Sequence, residues 1–118
     1  MAKKPFMNMV GVNCPPELED KLNKWYDDTH VRMIMDLGMV NRAVRYRRVD
    51  TDAKVATGEI QPPLYLATYD FDDQATFEKY WHHPDHEPLN EDVRQTWPNW
   101  ADMRKLRAQY EVMRIWTK

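Results

Sequence analysis

Serine is missing altogether from the 118-residue chain. Every mechanism that runs through a serine nucleophile goes with it. Cysteine is nearly missing: Cys14 stands alone, which excludes an intrachain disulfide and any cysteine-based zinc knuckle. Beside two prolines, and with no base at a fixed spacing, Cys14 reads as a capping residue rather than a nucleophile. The three glycines, Gly11, Gly38 and Gly58, are too few and too scattered for a dinucleotide or phosphate loop. No apolar run approaches the ~20 residues of a membrane span, and the opening Met1-Ala2-Lys3-Lys4-Pro5 lacks the apolar segment of a signal peptide. An excess of positive charge is lacking too. The formal net charge is -2, which leaves no electrostatic footprint for DNA or RNA. A single cytoplasmic domain over residues 1–118, with no membrane and no nucleic-acid partner, is the expectation.

The composition, 42% hydrophobic and 31% charged, is that of an ordinary globular protein. Phe6 to Asn13 reads as a strand that stops at Asn13-Cys14-Pro15-Pro16. A helix follows: Asn13 or Cys14 as cap, Pro15 at its first position, and Glu17, Glu19 and Asp20 at the positive end of its dipole. Leu18, Leu22, Trp25 and Thr29 form its core-facing stripe, with a break near Asp27-Asp28, and Gly38 supplies the left-handed cap after Leu37. Val40 to Val49 is a strand with arginines among β-branched and aromatic residues, and residues 50–63 are a long hairpin connection. Leu64 to Phe71 is the next strand. A short helix capped by Asp72 or Asp73 carries Phe77, Tyr80 and Trp81 and ends at His83 before Pro84. Residues 84–104 are a partly helical insertion, either a mobile flap bearing Trp97 and Trp100 or a rigid extension. Ala108 to Trp116 is the last strand.

The order β-α-β-β-α-β is the ferredoxin-like pattern: α+β, a four-stranded antiparallel sheet with helices on one face. The alternation carries a second inference. Phe6, Val10 and Val12 oppose Met7 and Met9 on the first strand; Leu64 and Leu66 oppose Tyr65, Tyr69 and Phe71 on the third. Helices cover one face only, so the other apolar face calls for a second copy of the chain. The expected partner is the protein itself, a homodimer through the sheet face.

His30 is the sharpest candidate for chemistry, because imidazole takes and returns protons near neutral pH. Tyr26 lies four residues before it on the same helical side, and Asp28 or Asp27 lies close enough to orient its ring. Alternatively His30 fills a helix end and bonds the backbone. Tyr46, Tyr65, Tyr69 and Tyr110 on strands, with Trp81, Trp97 and Trp100 from the second helix and the insertion, line an apolar pocket or else belong to the core. His82, His83, Asp85 and His86 hold ligand atoms, but Pro84 breaks the helix that would align them; the expectation is solvated histidines and no metal. No haem signature stands out, so no cofactor is expected. Arg42, Arg45, Arg47 and Arg48 split between the two faces of their strand.

The run Leu22-Asn23-Lys24-Trp25-Tyr26-Asp27-Asp28-Thr29-His30-Val31 resembles the signature of the EthD-like group of dimeric α+β barrel proteins, where a pattern near N-x-W-Y-D-x-x-H-x-P closes the first helix. Gly38 leading into the arginine-rich strand through Arg45-Tyr46, the strand Leu64–Tyr69 and the Phe77-Tyr80-Trp81 helix resemble that group as well. Arg32 and Met33 stand where the group carries proline. The resemblance implies a dimeric α+β barrel, a fold shared by cofactor-free monooxygenases, polyketide cyclases, lactone isomerases, haem-degrading enzymes and ligand sensors. The expectation is a cofactor-independent enzyme acting on an aromatic, lactone or polyketide-like small molecule. In that reading His30 is general acid/base with Tyr26 and Asp28 beside it, and Tyr46, Tyr65, Trp81 and Trp97 hold the substrate. The alternative is a binding, sensing or accessory protein that holds such a ligand without turning it over.

Overall fold

The computed structural model describes residues 4–53 and 61–118. Four antiparallel strands, β1 (Phe6–Val12), β2 (Arg42–Arg47), β3 (Tyr65–Phe71) and β4 (Arg104–Glu111), lie in the order β2-β3-β1-β4. This is the ferredoxin-like α+β architecture: β2 and β3 pair as sequence neighbours, and β1 lies between β3 and β4 as the β-α-β-β-α-β order requires. Residues 54–60 of the expected hairpin connection lie outside the described residues.

Alternation divides the sheet cleanly. Phe6, Asn8, Val10 and Val12 of β1 face the helices beside Tyr65, Ala67, Tyr69 and Phe71 of β3, and most of the core is built there. Met7 and Met9 share the opposite, uncovered face with Leu66 and Thr68.

The first helix is less regular than its periodicity suggests. A single 3₁₀ turn (Pro16–Leu18) opens it, one residue later than expected, and neither Asn13 nor Cys14 caps it. The Asn13 side chain instead accepts the Leu64 N–H across to β3 (2.7 Å). Helix α1 (Glu19–Trp25) then runs into a π-turn (Tyr26–His30), where the Val31 N–H donates to the Tyr26 carbonyl five residues back, and continues as α2 (Val31–Asp36). Gly38, at φ +78°, closes the helix in the left-handed conformation. The π-turn overturns one expected position. A strict 3.6-residue repeat puts Thr29 on the core stripe after Trp25. The extra residue in the turn leaves Thr29 exposed and aims His30 inward instead.

Helix α3 (Gln74–Trp81) starts at Asp73, whose side chain accepts the Thr76 N–H at 2.8 Å. The insertion is two packed helices, α4 (His86–Thr96) and α5 (Trp100–Met103), with Trp97 between them 2% exposed. It is tied to the first helix: Trp25 Nε1 donates to Asp92 Oδ2 at 2.9 Å. β4 begins four residues before the expected Ala108 and ends at Glu111 rather than Trp116, because its partner β1 begins at Phe6, opposite Glu111. The tail beyond leaves Met113, Ile115 and Trp116 exposed. No helix among the described residues is long and apolar enough to cross a membrane.

Candidate active site

Between the sheet and the helices lies a cavity of about 330 Å³, at the lower end of the size of small-molecule sites. Its floor is Asn8 and Val10 of β1, Tyr69 of β3 and Arg107 of β4. Tyr26, His30 and Ile34 form one wall; Tyr80, Trp81, His86 and Leu89 form the other.

The π-turn sets the first wall. Residues five apart come over one another in such a turn, so the His30 ring stacks on Trp25, with centroids 4.3 Å apart and planes 17° from parallel. Tyr26 meets His30 edge to face at 5.4 Å. The His30 ring is packed, and its Nδ1 is a buried polar atom with no partner among the described residues. Burial drives the ring's pKa down from 6.5 to about 4; His86 lowers it further and Asp92 opposes the shift. The imidazole is therefore neutral at pH 7. Burial also pushes the Tyr26 hydroxyl far above its usual value and that of Tyr80 up to about 12, so both remain protonated donors.

Tyr26 is braced from behind. The Arg45 guanidinium lies 4.5 Å from its ring centroid and is held by Asp27 Oδ1 (3.0 Å) and Asn23 Oδ1 (2.8 Å). On the floor, Asn8 Oδ1 accepts from Gln109 Nε2 (2.9 Å). His86 is buried, edge-on to Tyr80 at 4.8 Å, with Nδ1 3.3 Å from the Asn90 amide. Burial first, then Arg107, keeps its pKa below the ordinary value.

Of the residues singled out in the sequence, the cavity brings together Tyr26, His30 and Trp81. Asp28 is exposed and makes no bond to His30; the carboxylate that bears on the ring is Asp92, on α4. Tyr46 points to the uncovered sheet face, 47% exposed. Tyr65 lies outside the cavity, where its hydroxyl donates to Glu19 (2.6 Å). Trp97 is core, packed against Trp25 and beneath the Lys21 ammonium. His86, Arg104 and Arg107 were not among the expected site residues. The four-residue spacing of His82 and His86 was the available signal, masked by Pro84; His86 starts a new helix after it. His82 is exposed and His83 accepts the Asp85 N–H (3.0 Å), so the histidines diverge. Among the described residues no group of three or more histidine, cysteine or acidic side chains could hold a metal ion.

The profile of a family described as a domain of unknown function, DUF4286, matches residues 6–101. The chain belongs to the DUF4286 family. In this member the matched stretch carries both cavity walls, including Tyr26, His30, Tyr80 and His86, but not Arg104 and Arg107. No curated protein matches it in sequence. Among solved structures it is similar to an EthD family protein from Bacillus halodurans C-125 (TM-score 0.67, 11% identity, 93% of this chain and 99% of that one). It is also similar to SnoaB, a cofactor-independent oxygenase from Streptomyces nogalater (TM-score 0.57, 14% identity, 100% of both chains). A dimeric ferredoxin-like protein of unknown function from Jannaschia sp. CCS1 is a third (TM-score 0.59, 16% identity, 92% and 99%). At these identities the likeness establishes the fold, and the EthD-like resemblance of the sequence holds at that level.

Proposed function

We propose that this single-domain chain is a homodimeric, cofactor-independent enzyme whose His30 moves a proton to or from an aromatic, lactone or polyketide-like carbon acid. A neutral His30 in the wall of the cavity, packed between Trp25 and Tyr26, carries the reading. A neutral imidazole beside a carbonyl compound accepts the proton from the adjacent carbon, and Tyr26 stands close by to donate a hydrogen bond to the oxygen that gains charge. The fold shared with a cofactor-independent oxygenase is consistent with such chemistry. A mere binder would need no proton-transfer group at its ligand and would leave His30 toward solvent. Apolar Met7, Met9 and Leu66 on the uncovered face support the homodimer.

The first step common to isomerase, cyclase and oxygenase chemistry on such compounds is loss of a proton beside a carbonyl, so exchange with solvent reads it directly. Incubated in D₂O with 2-tetralone or α-angelica lactone, the protein is expected to speed deuterium uptake at the acidic carbon, followed by NMR. His30→Ala should lower that rate by about 10²–10⁴-fold while the melting curve stays cooperative. Uptake no faster than in buffer with either compound, or uptake unchanged in His30→Ala, overturns the reading.

A further inference from the structure

Two guanidinium groups at the cavity have no counterpart in the reading above. Arg104 and Arg107 lie three residues apart on β4, a separation that places side chains on opposite faces of a regular strand. The register of β4 against β1 shifts between them: Leu106 opposes Gly11, but Arg104 opposes Val12, so Lys105 is an extra residue. This bulge brings Arg104 and Arg107 onto the helix-facing side together, and both line the cavity. Bulges beside sites re-aim side chains in this way.

Neither guanidinium has an ion pair or side-chain hydrogen bond among the described residues. Arg107 rests over the face of Trp81, 5.0 Å from its ring centroid, and its pKa is lowered by burial and by Arg104 beside it. The carboxylates of α4 are engaged elsewhere. Glu87 and Glu91 both bind Arg94, each at 2.6 Å, and Asp92 accepts from Trp25 and Thr96. No acidic side chain among the described residues lines the cavity. Two like charges are thus held next to one another at the cavity, Arg104 partly buried and Arg107 exposed.

We propose that Arg104 and Arg107 form an anion subsite, and that the cavity takes a fused-ring aromatic carboxylate. The carboxylate lies between the two guanidiniums, and the rings lie among Trp81, Tyr80 and Trp100 toward His30. This rests on the cavity being a ligand site, and it adds the class of ligand. It also assigns β4 a function that strand pairing alone does not require.

Matched probes test it. 2-Naphthylacetate and its neutral analogue 2-naphthylacetamide have the same rings and nearly the same shape, and Trp81 and Trp100 report occupancy by fluorescence quenching. The carboxylate is expected to bind at least tenfold more tightly than the amide at low ionic strength. R107Q should bring the two within about twofold of one another, and R107K, which keeps the charge, should retain most of the preference. His30→Gln should retain it in full. Equal binding of acid and amide overturns the anion subsite and leaves the cavity and its histidine standing. A preference that survives in an R104Q/R107Q double variant with an unchanged circular dichroism spectrum also overturns it. Binding of neither probe overturns subsite and ligand cavity together.

Discussion

His30 spends stability to stay neutral. In the unfolded chain its ring titrates near 6.5; in the fold, burial against Trp25 lowers this to about 4. Above pH 6.5 the ring is uncharged in both states and adds no pH dependence. Between 6.5 and about 4 the unfolded chain takes up a proton that the folded chain refuses, so stability falls as pH falls through that window. A separation of this size corresponds to about 3 kcal/mol across the window, a large share of the stability of a small domain. Denaturant titrations at pH 7.5 and 4.5 check this: wild type should lose clearly more stability on acidification than His30→Gln. Equal losses would mean that the ring is open to solvent in the native state.

Two irregular elements build the site, and each is where simple periodicity misleads. The strand and helix order, the two faces of β1 and β3 and the candidacy of His30 are legible in the sequence because alternation and the Trp-Tyr-Asp-x-x-His run are local patterns. The π-turn is not, since a 3.6-residue repeat predicts an inward Thr29 and leaves His30 at the edge. The bulge at Lys105 is not legible either, since it depends on which residue of β1 lies opposite. His86 was hidden by Pro84, and Asp28 was favoured over Asp92 because closeness in sequence is visible and closeness across 62 residues is not. β1 also carries a packing constraint. A Cβ at Gly11 would come within 2.5 Å of Pro63 Cγ and 3.0 Å of Leu106 Cβ. A proline ring cannot swing aside as a long side chain does, so Gly11→Ala should cost about 1–3 kcal/mol in urea denaturation. A neutral result would show that Pro63 and Leu106 give way at no cost.

At the scale of the molecule the two sheet faces have different characters. The helix-covered face holds the core and the cavity. The uncovered face presents Met7, Met9, Tyr46 and Leu66 in a groove that Val112 and Ile115 of the C-terminal tail also line. Asp70 and Arg42 pair at its rim at 3.2 Å. An apolar surface of this kind, rimmed by charge, fits a second copy of itself through a twofold axis. Light scattering is expected to return twice the mass of one chain, and Met9→Glu, which puts a charge at the centre of the face, should return a single chain that still melts cooperatively. Wild type at the mass of one chain would refute the homodimer.

The π-turn has a consequence for reading relatives. The turn holds one residue more than a regular helix would use to cover the same path, and everything from Val31 onward is displaced by that residue. A relative whose helix is regular throughout therefore matches this chain only with a gap of one position between Trp25 and Val31. An ungapped comparison would be right for one half of the helix and out of step by about 100° in the other, setting Thr29 or Val31 against the relative's inward-facing residue.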